Sequence, residues 1–180
     1  MIKIVANFDI NALRVIRESV NALVSSAGRK YDHHRLRVLE IGPTDALATH
    51  EHFRKAMIDT LDISPNVHPT YVGDITKDLS PLIPSEYYGL VICTEVLEHT
   101  TNPFEAVKQI HRILKPGGIL LASAPFNFRI HGPAPDCWRF TEYGWRILLE
   151  KFDILELTAH GEEERPLAPV GYTIIAEKKR

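Results

Sequence analysis

The chain has 180 residues, of which 44% are hydrophobic and 24% are charged, a composition that is ordinary for one soluble globular domain. Its 21 Lys and Arg residues are balanced by 23 Asp and Glu residues, which excludes a broadly basic surface for nucleic acid. Two cysteines are too few for a disulfide framework or a four-cysteine zinc site. Since no apolar run is long enough for a membrane span, we expect a cytoplasmic protein.

The first half of the sequence begins with a helix and then alternates between strands and helices. Residues 9–27 carry apolar side chains at the three- and four-residue spacing of one buried helix face. Gly28 is expected to end that helix, because glycine commonly follows the last helical residue. The next predicted elements are a strand over 36–41, a helix over 45–55 and strands over 57–63 and 69–73.

The second half contains a strand–helix–strand unit, a long loop and a closing pair of strands. The fourth strand, over 88–93, is apolar on both faces, which is typical of the centre of a parallel sheet. Asn102 can cap the following helix, and Pro103 suits its first position. The helix is predicted over 103–114, and the segment 115–118 is expected to end it. The remaining predictions are a strand over 119–124, a loop over 125–140, a helix over 141–151 and strands over 154–158 and 172–177.

Strands that alternate with helices predict an α/β fold, in which helices cover both faces of a mainly parallel sheet. No helix separates the last two strands, so they are expected to pair as a hairpin that makes one strand antiparallel. The prediction is therefore a single domain over residues 1–180, with an N-terminal helix over 9–27 and a core over 36–177 that holds a mixed seven-stranded sheet.

A glycine and two acidic residues stand where predicted strands end, the edge at which open α/β sheets bind ligands. Asp62 lies twenty residues after Gly42 and can accept hydrogen bonds from both hydroxyls of a ribose. Gly42 would let the backbone approach such a ligand closely. Asp74 could accept a hydrogen bond from the exocyclic amine of an adenine. The alternative for either acid is an ordinary turn or helix cap.

Five segments carry motifs at successive element ends: VLEIGPTDA (38–46), DTLDISP (59–65), YVGDI (71–75), YGLVICTEVLEHT (88–100) and ILKPGGILLASAP (113–125). Together they resemble the class I S-adenosylmethionine (SAM)-dependent methyltransferases of the small-molecule type. The resemblance covers residues 36–126 closely and residues 127–177 more loosely. It implies a Rossmann-like three-layer sandwich with strand order 3-2-1-4-5-7-6, in which strand 7 is antiparallel.

The resemblance also implies a SAM site. It assigns the ribose to Asp62 and the adenine to Asp74, and it places the first cofactor loop at Gly42. The residues that it implies bind the cofactor are Glu40, Gly42, Pro43, Thr44, Asp62, Ile63, Asp74, Ile75, Thr94 and Glu95. Relatives usually carry glycines at alternate positions of the first loop, where this chain has Gly42, Thr44 and Ala46.

Three residues at the predicted carboxyl edge are candidates for a general base. His99 follows the fourth strand, and His131 and Asp136 lie in the loop after the fifth. Methyl transfer to a hydroxyl benefits from a base, and histidine titrates near neutral pH. The alternatives are a hydrogen bond of His99 to loop backbone and a solvated position for His131.

The same region contains residues that could contact the acceptor. Trp138 could stack on a substrate ring, Arg139 could pair with an anionic group, and Phe126 follows the fifth strand. For Trp138 the alternative is packing against the following helix. For Arg139 it is an ion pair with Glu142 or Asp136.

The sequence predicts no metal site. Histidines cluster at 33–34 and 50–52, but adjacent loop histidines point apart and residues two apart on a helix do not share a face. No H-x-x-x-H or paired-cysteine pattern is present. The lack of long insertions after the fifth strand predicts an open pocket for a large or carrier-bound acceptor, or a site that a second subunit completes in a homodimer.

Three functions compete on these observations. The leading hypothesis is methyl transfer from SAM to a small-molecule hydroxyl, as in a sugar, a polysaccharide precursor or a secondary metabolite. The second is a methyltransferase-like binding or regulatory module without catalysis, motivated by Thr44 and Ala46 in the cofactor loop. The third is a nicotinamide-dependent oxidoreductase, which the loop disfavours because it lacks G-x-G-x-x-G.

Overall fold

Strands and helices alternate along the chain in the computed structural model, which describes residues 7–43, 49–161 and 165–179. The strands in this part of the chain are β1 (Arg37–Ile41), β2 (Met57–Asp62), β3 (Tyr71–Val72), β4 (Tyr88–Thr94), β5 (Leu114–Pro125), β6 (Phe152–His160) and β7 (Gly171–Lys178). The α-helices are α1 (Asn7–Tyr31), α2 (Thr49–His52), α3 (Pro103–Ile113) and α4 (Glu142–Leu148). None of the described helices is long and apolar enough to cross a membrane.

The strands form one mixed sheet in the order β3-β2-β1-β4-β5-β7-β6. Strands β1 to β5 pair in parallel, whereas β7 runs antiparallel to both β5 and β6. The predicted order and the antiparallel seventh strand are therefore confirmed. From β1 the chain first adds strands on one side and then returns to place β4 on the other, which opens a crevice between the carboxyl ends of β1 and β4.

Helices cover both faces of the sheet because side chains alternate between the faces along each strand. In β1, Val38 packs with the residues of α1, whereas Leu39 packs on the opposite face with α3 and α4. Trp145 of α4 and Ile110 of α3 are fully buried in that second layer. The sandwich of three layers follows from these two cores.

The helix after β4 begins as the sequence predicts. The Asn102 side chain accepts a hydrogen bond from the amide of Glu105, and Pro103 occupies the first helical position. The helix ends at Ile113, one residue before the predicted boundary. A well-capped α3 fixes the short turn that connects it to β4, and that turn contributes to the site described below.

The prediction that Gly28 ends the first helix is wrong, since α1 continues to Tyr31. Gly28 is buried inside α1, and a Cβ at this position would lie 2.4 Å from the carbonyl oxygen of His52. The glycine therefore allows α1 and α2 to approach each other closely, and it does not mark a helix end.

The prediction that the segment 115–118 lies outside the fifth strand is also wrong. β5 already begins at Leu114, which pairs with Tyr88, and the register then shifts so that Leu90 pairs with Ile119. Gly117 in the inserted segment has a φ of +74°. The Pro-Gly-Gly sequence thus forms an irregularity within the strand, where the glycine allows the left-handed backbone.

Other boundaries differ by a few residues. Of the helix predicted over 45–55, the structure describes α2 as one turn, and residues 44–48 lie outside the described part of the chain. β3 has only two residues, and just before it the Thr60 amide donates to the Thr70 hydroxyl oxygen in place of a backbone carbonyl. α4 ends at Leu148, three residues before the prediction.

Candidate active site

A cavity of about 330 Å³ opens at the carboxyl ends of β1, β2 and β4. It lies beside the reversal of strand order, where open α/β sheets bind ligands. Its volume is at the lower end of the roughly 300–1,000 Å³ that is typical of small-molecule sites. The loops after these strands, together with the loop after β5, supply its walls.

Gly42 forms the turn that leaves β1 toward the cavity. Its φ is +65°, in the left-handed region that favours glycine, and its amide donates to the carbonyl of Leu61. A Cβ at this position would lie 2.7 Å from Cγ2 of Val96. Backbone conformation and limited space both require glycine here, and the bare backbone forms part of the cavity wall.

One aspartate is the last residue of β2, a second lies two residues after β3, and both line the same cavity. The Ser64 amide donates to Oδ1 of Asp62 at 2.7 Å, and the Thr76 amide donates to Oδ1 of Asp74 at 2.8 Å. Both acids therefore cap a local turn, which was the structural alternative for each of them. In the described part of the chain only Oδ1 of each carboxylate is engaged, so Oδ2 remains available to a ligand.

Glu95 follows β4 at the other wall and has an unusual backbone conformation for a non-glycine residue, with a φ of +55°. Its amide donates to Ser123, and the Ser123 hydroxyl donates to Glu95 Oε1 at 2.8 Å. Burial raises the pKa of this carboxyl to about 7, against the lowering effect of the Ser123 hydrogen bond. The strained backbone holds the side chain in position at the cavity.

Glu98 lies in the next turn, a short 3₁₀ helix over Leu97–His99, and is fully buried. Neither carboxylate oxygen has a hydrogen-bond partner among the described residues. Its Oε1 lies 3.7 Å from Nε2 of His99 and 3.9 Å from Nε2 of His131. Burial, followed by the charge of Glu95, raises the pKa of Glu98 well above its usual range.

The imidazoles of His99 and His131 lie edge to face, with ring centroids 4.8 Å apart. Nδ1 of His99 is 2.9 Å from the carbonyl oxygen of Pro135, and Nδ1 of His131 is 3.1 Å from Oδ2 of Asp136. Burial lowers the pKa of His131, partly offset by the charge of Asp136. His99 makes the backbone hydrogen bond that was its structural alternative, yet it also lines the cavity.

Asp136 is held by Arg139, whose Nη2 donates to its Oδ2 at 2.7 Å. The His131 amide donates to the same oxygen at 2.9 Å. The hydrogen bond with Arg139, more than any other contact, holds the pKa of Asp136 well below its usual range. Asp136 is therefore an ionised orienting group for His131, and the predicted structural pair between Asp136 and Arg139 is present.

Trp138 and Phe126 make contacts within the protein. The Trp138 indole donates from Nε1 to the carbonyl of Thr100 at 2.9 Å and stacks on Phe140. Trp138 is 38% exposed, so one part of the ring remains accessible to an acceptor. Phe126 packs edge to face against Tyr172. The acceptor contacts of Trp138, Phe126 and Arg139 stay predictions.

The structure brings most predicted cofactor residues to one cavity but not all of them. Those in its lining are Gly42, Pro43, Asp62, Ile63, Asp74, Ile75 and Glu95. Glu40 is buried within β1, and its Oε1 has no hydrogen-bond partner among the described residues. Burial raises the pKa of this carboxyl. Neither Glu40 nor Thr94 belongs to the lining. Thr44 lies outside the described residues.

Glu98 is a site residue that is absent from those predicted from the sequence. The signal that could have identified it is the spacing in EVLEH, because residues three apart lie on the same side of a helical turn. Glu95 and Glu98 are therefore expected on the same side of the turn that follows the buried strand β4. The burial of Glu98 itself depends on the distant loop 127–141, whose Cys137 and Trp138 amides both donate to the Glu98 carbonyl.

Comparison with protein families identifies one matching model. A model described as a methyltransferase domain matches residues 9–173. No curated protein sequence matches the chain significantly. The family match includes the crevice and the sheet from β1 to β6, and it ends three residues into β7.

Solved structures with the same fold include several methyltransferases. The CurJ carbon methyltransferase superposes with a TM-score of 0.67 at 19% identity, over 94% of this chain and 55% of that one. A SAM-dependent methyltransferase from Methanosarcina mazei superposes with a TM-score of 0.66 at 16% identity, over 84% of this chain and 96% of that one. The trans-methyltransferase CalH, solved with SAH, superposes with a TM-score of 0.70 at 20% identity, over 90% of this chain and 57% of that one. The chain thus spans little more than half the length of two of them, and the likeness shows a shared fold.

Proposed function

The chain belongs to the methyltransferase domain family, and we propose that it transfers a methyl group from SAM to an oxygen atom of a small-molecule or carrier-bound acceptor. SAM-dependent methylation follows from the family and accounts for the crevice beside Gly42. The observation that carries the proposal is the convergence of two strand-end carboxylates, Asp62 and Asp74, on one cavity whose far wall carries the imidazole of His99.

The residues on the strand-end wall fit the donor. The φ of +65° and the lack of a side chain at Gly42 leave backbone open to the cofactor. Asp62 retains one oxygen for ribose hydroxyls, and Asp74 retains one for the adenine amine. When bound, SAM supplies a methyl group that its sulfonium already activates, so the protein mainly has to position the acceptor.

The far wall favours an oxygen acceptor. His99 lines the cavity, and His131 lies beside it with its Nδ1 held by Asp136. A hydroxyl must lose its proton during methyl transfer, and an imidazole can accept that proton near neutral pH. Holding donor and acceptor in line can supply several kcal/mol of the barrier, up to roughly 7–11 kcal/mol in the best intramolecular models.

The test combines a binding experiment with a transfer experiment. Calorimetric titration with SAM should give one site per chain, whereas NAD should give none, because the first loop lacks the G-x-G-x-x-G pattern. A labelled-methyl assay against sugar-nucleotide, phenolic, carboxylate and amine panels should then show transfer to a hydroxyl. Transfer to amines alone would contradict the oxygen assignment. Tight SAM binding without transfer to any panel would favour the non-catalytic module.

A further inference from the structure

Three metal-binding side chains converge beside the cavity. The carboxylate of Glu98 and the imidazoles of His99 and His131 each offer one ligand atom, and these atoms lie within 4.8 Å of one another. Glu98 is fully buried, whereas the side chains of His99 and His131 are 12% and 20% exposed. The cluster is therefore enclosed on the Glu98 side and open toward the cavity that His99 lines.

The hydrogen bonds of the two imidazoles fix their orientation. Pro135 presents a carbonyl oxygen to Nδ1 of His99, and Asp136 presents a carboxylate oxygen to Nδ1 of His131. Both partners only accept, so both Nδ1 atoms carry the proton. In the neutral rings each Nε2 then has a lone pair, and both Nε2 atoms face Glu98. This is the arrangement in which outer acceptors orient metal-binding histidines.

The distances separate a metal site from an ordinary hydrogen-bond network. The two Nε2 atoms lie 3.7 and 3.9 Å from the same Glu98 oxygen, which is too far for a hydrogen bond. Ligands about 2.1 Å from one tetrahedral ion are roughly 3.4 Å apart. The two distances to Glu98 exceed this value by a few tenths of an ångström, and no two of the three ligand atoms are more than 4.8 Å apart. The two imidazoles would therefore have to move toward each other by at most about 1.4 Å for all three atoms to bind one ion.

We propose that Glu98, His99 and His131 bind one divalent first-row transition-metal ion, with Zn²⁺ and Co²⁺ as representative ligands. Two imidazoles and one carboxylate suit such borderline cations better than Mg²⁺, which prefers an all-oxygen shell. Three protein ligands leave at least one coordination position, directed to the cavity. That position would hold the acceptor oxygen beside the methyl donor, a role that rests on the proposed function.

The charges around Glu98 support a cation at this point. Its two oxygens lack hydrogen-bond donors in the described part of the chain, and the Glu95 carboxylate is a second buried acid nearby. Arg139, the neighbouring guanidinium, is committed to Asp136 and to backbone carbonyls. A buried carboxylate without a partner is costly, and a divalent ion between Glu98 and the imidazoles would remove that cost.

The proposed ligands are not the histidine clusters at 33–34 and 50–52 that local sequence patterns bring to attention. His99 and His131 are 32 residues apart and lie on different loops, so no local spacing pattern reports them. The two loops are joined by the hydrogen bonds from the Cys137 and Trp138 amides to the Glu98 carbonyl. The expectation of no metal site depended on local patterns, and the proposed site is assembled by tertiary contacts.

The site can be tested without SAM or acceptor. The chelator-treated full chain is titrated with Co²⁺, followed by visible absorption, and with Zn²⁺, followed by calorimetry. One ion per chain should bind. Glu98→Gln and His131→Ala should each lower the affinity at least 100-fold, and Asp136→Asn should lower it about 10- to 100-fold as an outer-shell change. His34→Gln and Cys137→Ser, an exposed histidine and the nearby exposed thiol, should stay within twofold of wild type.

Lack of stoichiometric binding at about 100 μM metal, at least roughly a hundredfold above a submicromolar Kd, would overturn the proposal, and so would unchanged affinity in Glu98→Gln. A second readout is the urea midpoint of the metal-free proteins. Glu98→Gln should unfold at the same or a higher urea concentration than wild type, because neither Glu98 oxygen has a hydrogen bond to lose among the described residues. A clear decrease would assign Glu98 a structural role and overturn the proposal. SAM affinity of metal-free wild type, measured separately, keeps these outcomes distinct from those of the proposed function.

Discussion

The two walls of the cavity are built in different ways. The strand-end wall consists of Gly42, Asp62 and Asp74, each of which is positioned by its own turn directly after a strand. The histidine wall consists of His99, which lines the cavity, and of Glu98 and His131 behind it, together with the groups that orient them. It exists only where the loop after β5 folds against the turn after β4. Local backbone geometry defines the first wall, and tertiary contact defines the second.

This difference predicts that mutations in the two walls have different effects on function. The strand-end wall presents bare backbone and, on two half-buried aspartates, carboxylate oxygens without hydrogen bonds among the described residues, which suit the binding of a neutral nucleoside. The histidine wall encloses a buried carboxylate and two oriented imidazoles, which suit a reacting group or a cation. Variants of the first wall should change SAM affinity, and variants of the second should change turnover.

The largest difference between the effect on turnover and the effect on SAM affinity is expected for His131→Ala. The variant removes an imidazole that Asp136 orients toward Glu98, so turnover at saturating SAM should fall on the order of 10² or more. SAM affinity should stay within twofold, because His131 is not part of the cavity lining. Labelled-methyl transfer to the best acceptor of the panel measures the first quantity, and calorimetry measures the second.

His34→Ala is the matched control for this variant, since His34 is an exposed histidine far along the chain from the site. An unaltered rate at saturation would exclude His131 from the reaction, whether as a base or as a ligand. An equal loss of turnover and SAM affinity would show that the two walls act as one unit.

Gly42→Ala should produce the next largest effect, on the strand-end wall. Alanine in the left-handed region costs roughly 1–2 kcal/mol, and its Cβ would lie 2.7 Å from Val96. The free energy of unfolding should fall by about 2 kcal/mol, with weaker SAM binding, measured by urea denaturation and calorimetry. Gly132→Ala is the control, because nothing lies within 4 Å of a Cβ there.

The double variant Gly42→Ala with Val96→Ala separates the two causes. Removal of the Val96 methyl groups should relieve the contact but leave the cost of the left-handed backbone. Partial recovery of SAM affinity relative to Gly42→Ala is therefore expected. If the single variant binds SAM like wild type, the cofactor does not depend on the bare backbone at this turn.

Asp62→Ala should weaken SAM binding at least tenfold, about 1.4 kcal/mol, and turnover at saturation should change less. Asp78→Ala is a closely matched control, because the Ser80 amide donates to Oδ1 of Asp78 as the Ser64 amide does to Asp62. Asp78 makes this turn outside the cavity lining. Equal SAM affinity in both variants would remove the ribose assignment and leave Asp62 as a turn cap.

The strand-end wall could be predicted from sequence because its determinants are local. Apolar runs followed by Gly42, Asp62 or Asp74 mark both the strand ends and the polar groups that follow them. The same local signals were misleading at Gly28 and at the segment 115–118. There, glycine serves the close approach of α1 and α2 or an irregularity within β5.

The histidine wall could be predicted only in part. His99, His131 and Asp136 were recognisable as chemically capable residues near strand ends. Their mutual contacts and the burial of Glu98 depend on how the loop 127–141 crosses the turn after β4, which no periodic pattern encodes. The sequence therefore predicted the two histidines and Asp136, and only the structure shows that both imidazoles present Nε2 to the buried Glu98.

The smallest expected effect belongs to Trp138, which lies at the border of the histidine wall. Trp138→Phe keeps an aromatic ring that can stack on Phe140 but removes the hydrogen bond from Nε1 to the Thr100 carbonyl. The free energy of unfolding should fall by about 1 kcal/mol, the usual net contribution of one such bond. The KM for the acceptor should stay unchanged, because the indole N–H is already used within the protein.

Trp138→Ala then tests the accessible part of the ring. If an acceptor stacks on the exposed fraction of the indole, KM should rise in Trp138→Ala and remain near wild type in Trp138→Phe. If neither variant changes KM while both lower stability, the ring only anchors the loop that carries His131 and Asp136. A raised KM in Trp138→Phe would instead place the indole N–H on the acceptor, and the bond to Thr100 would then have to break during binding.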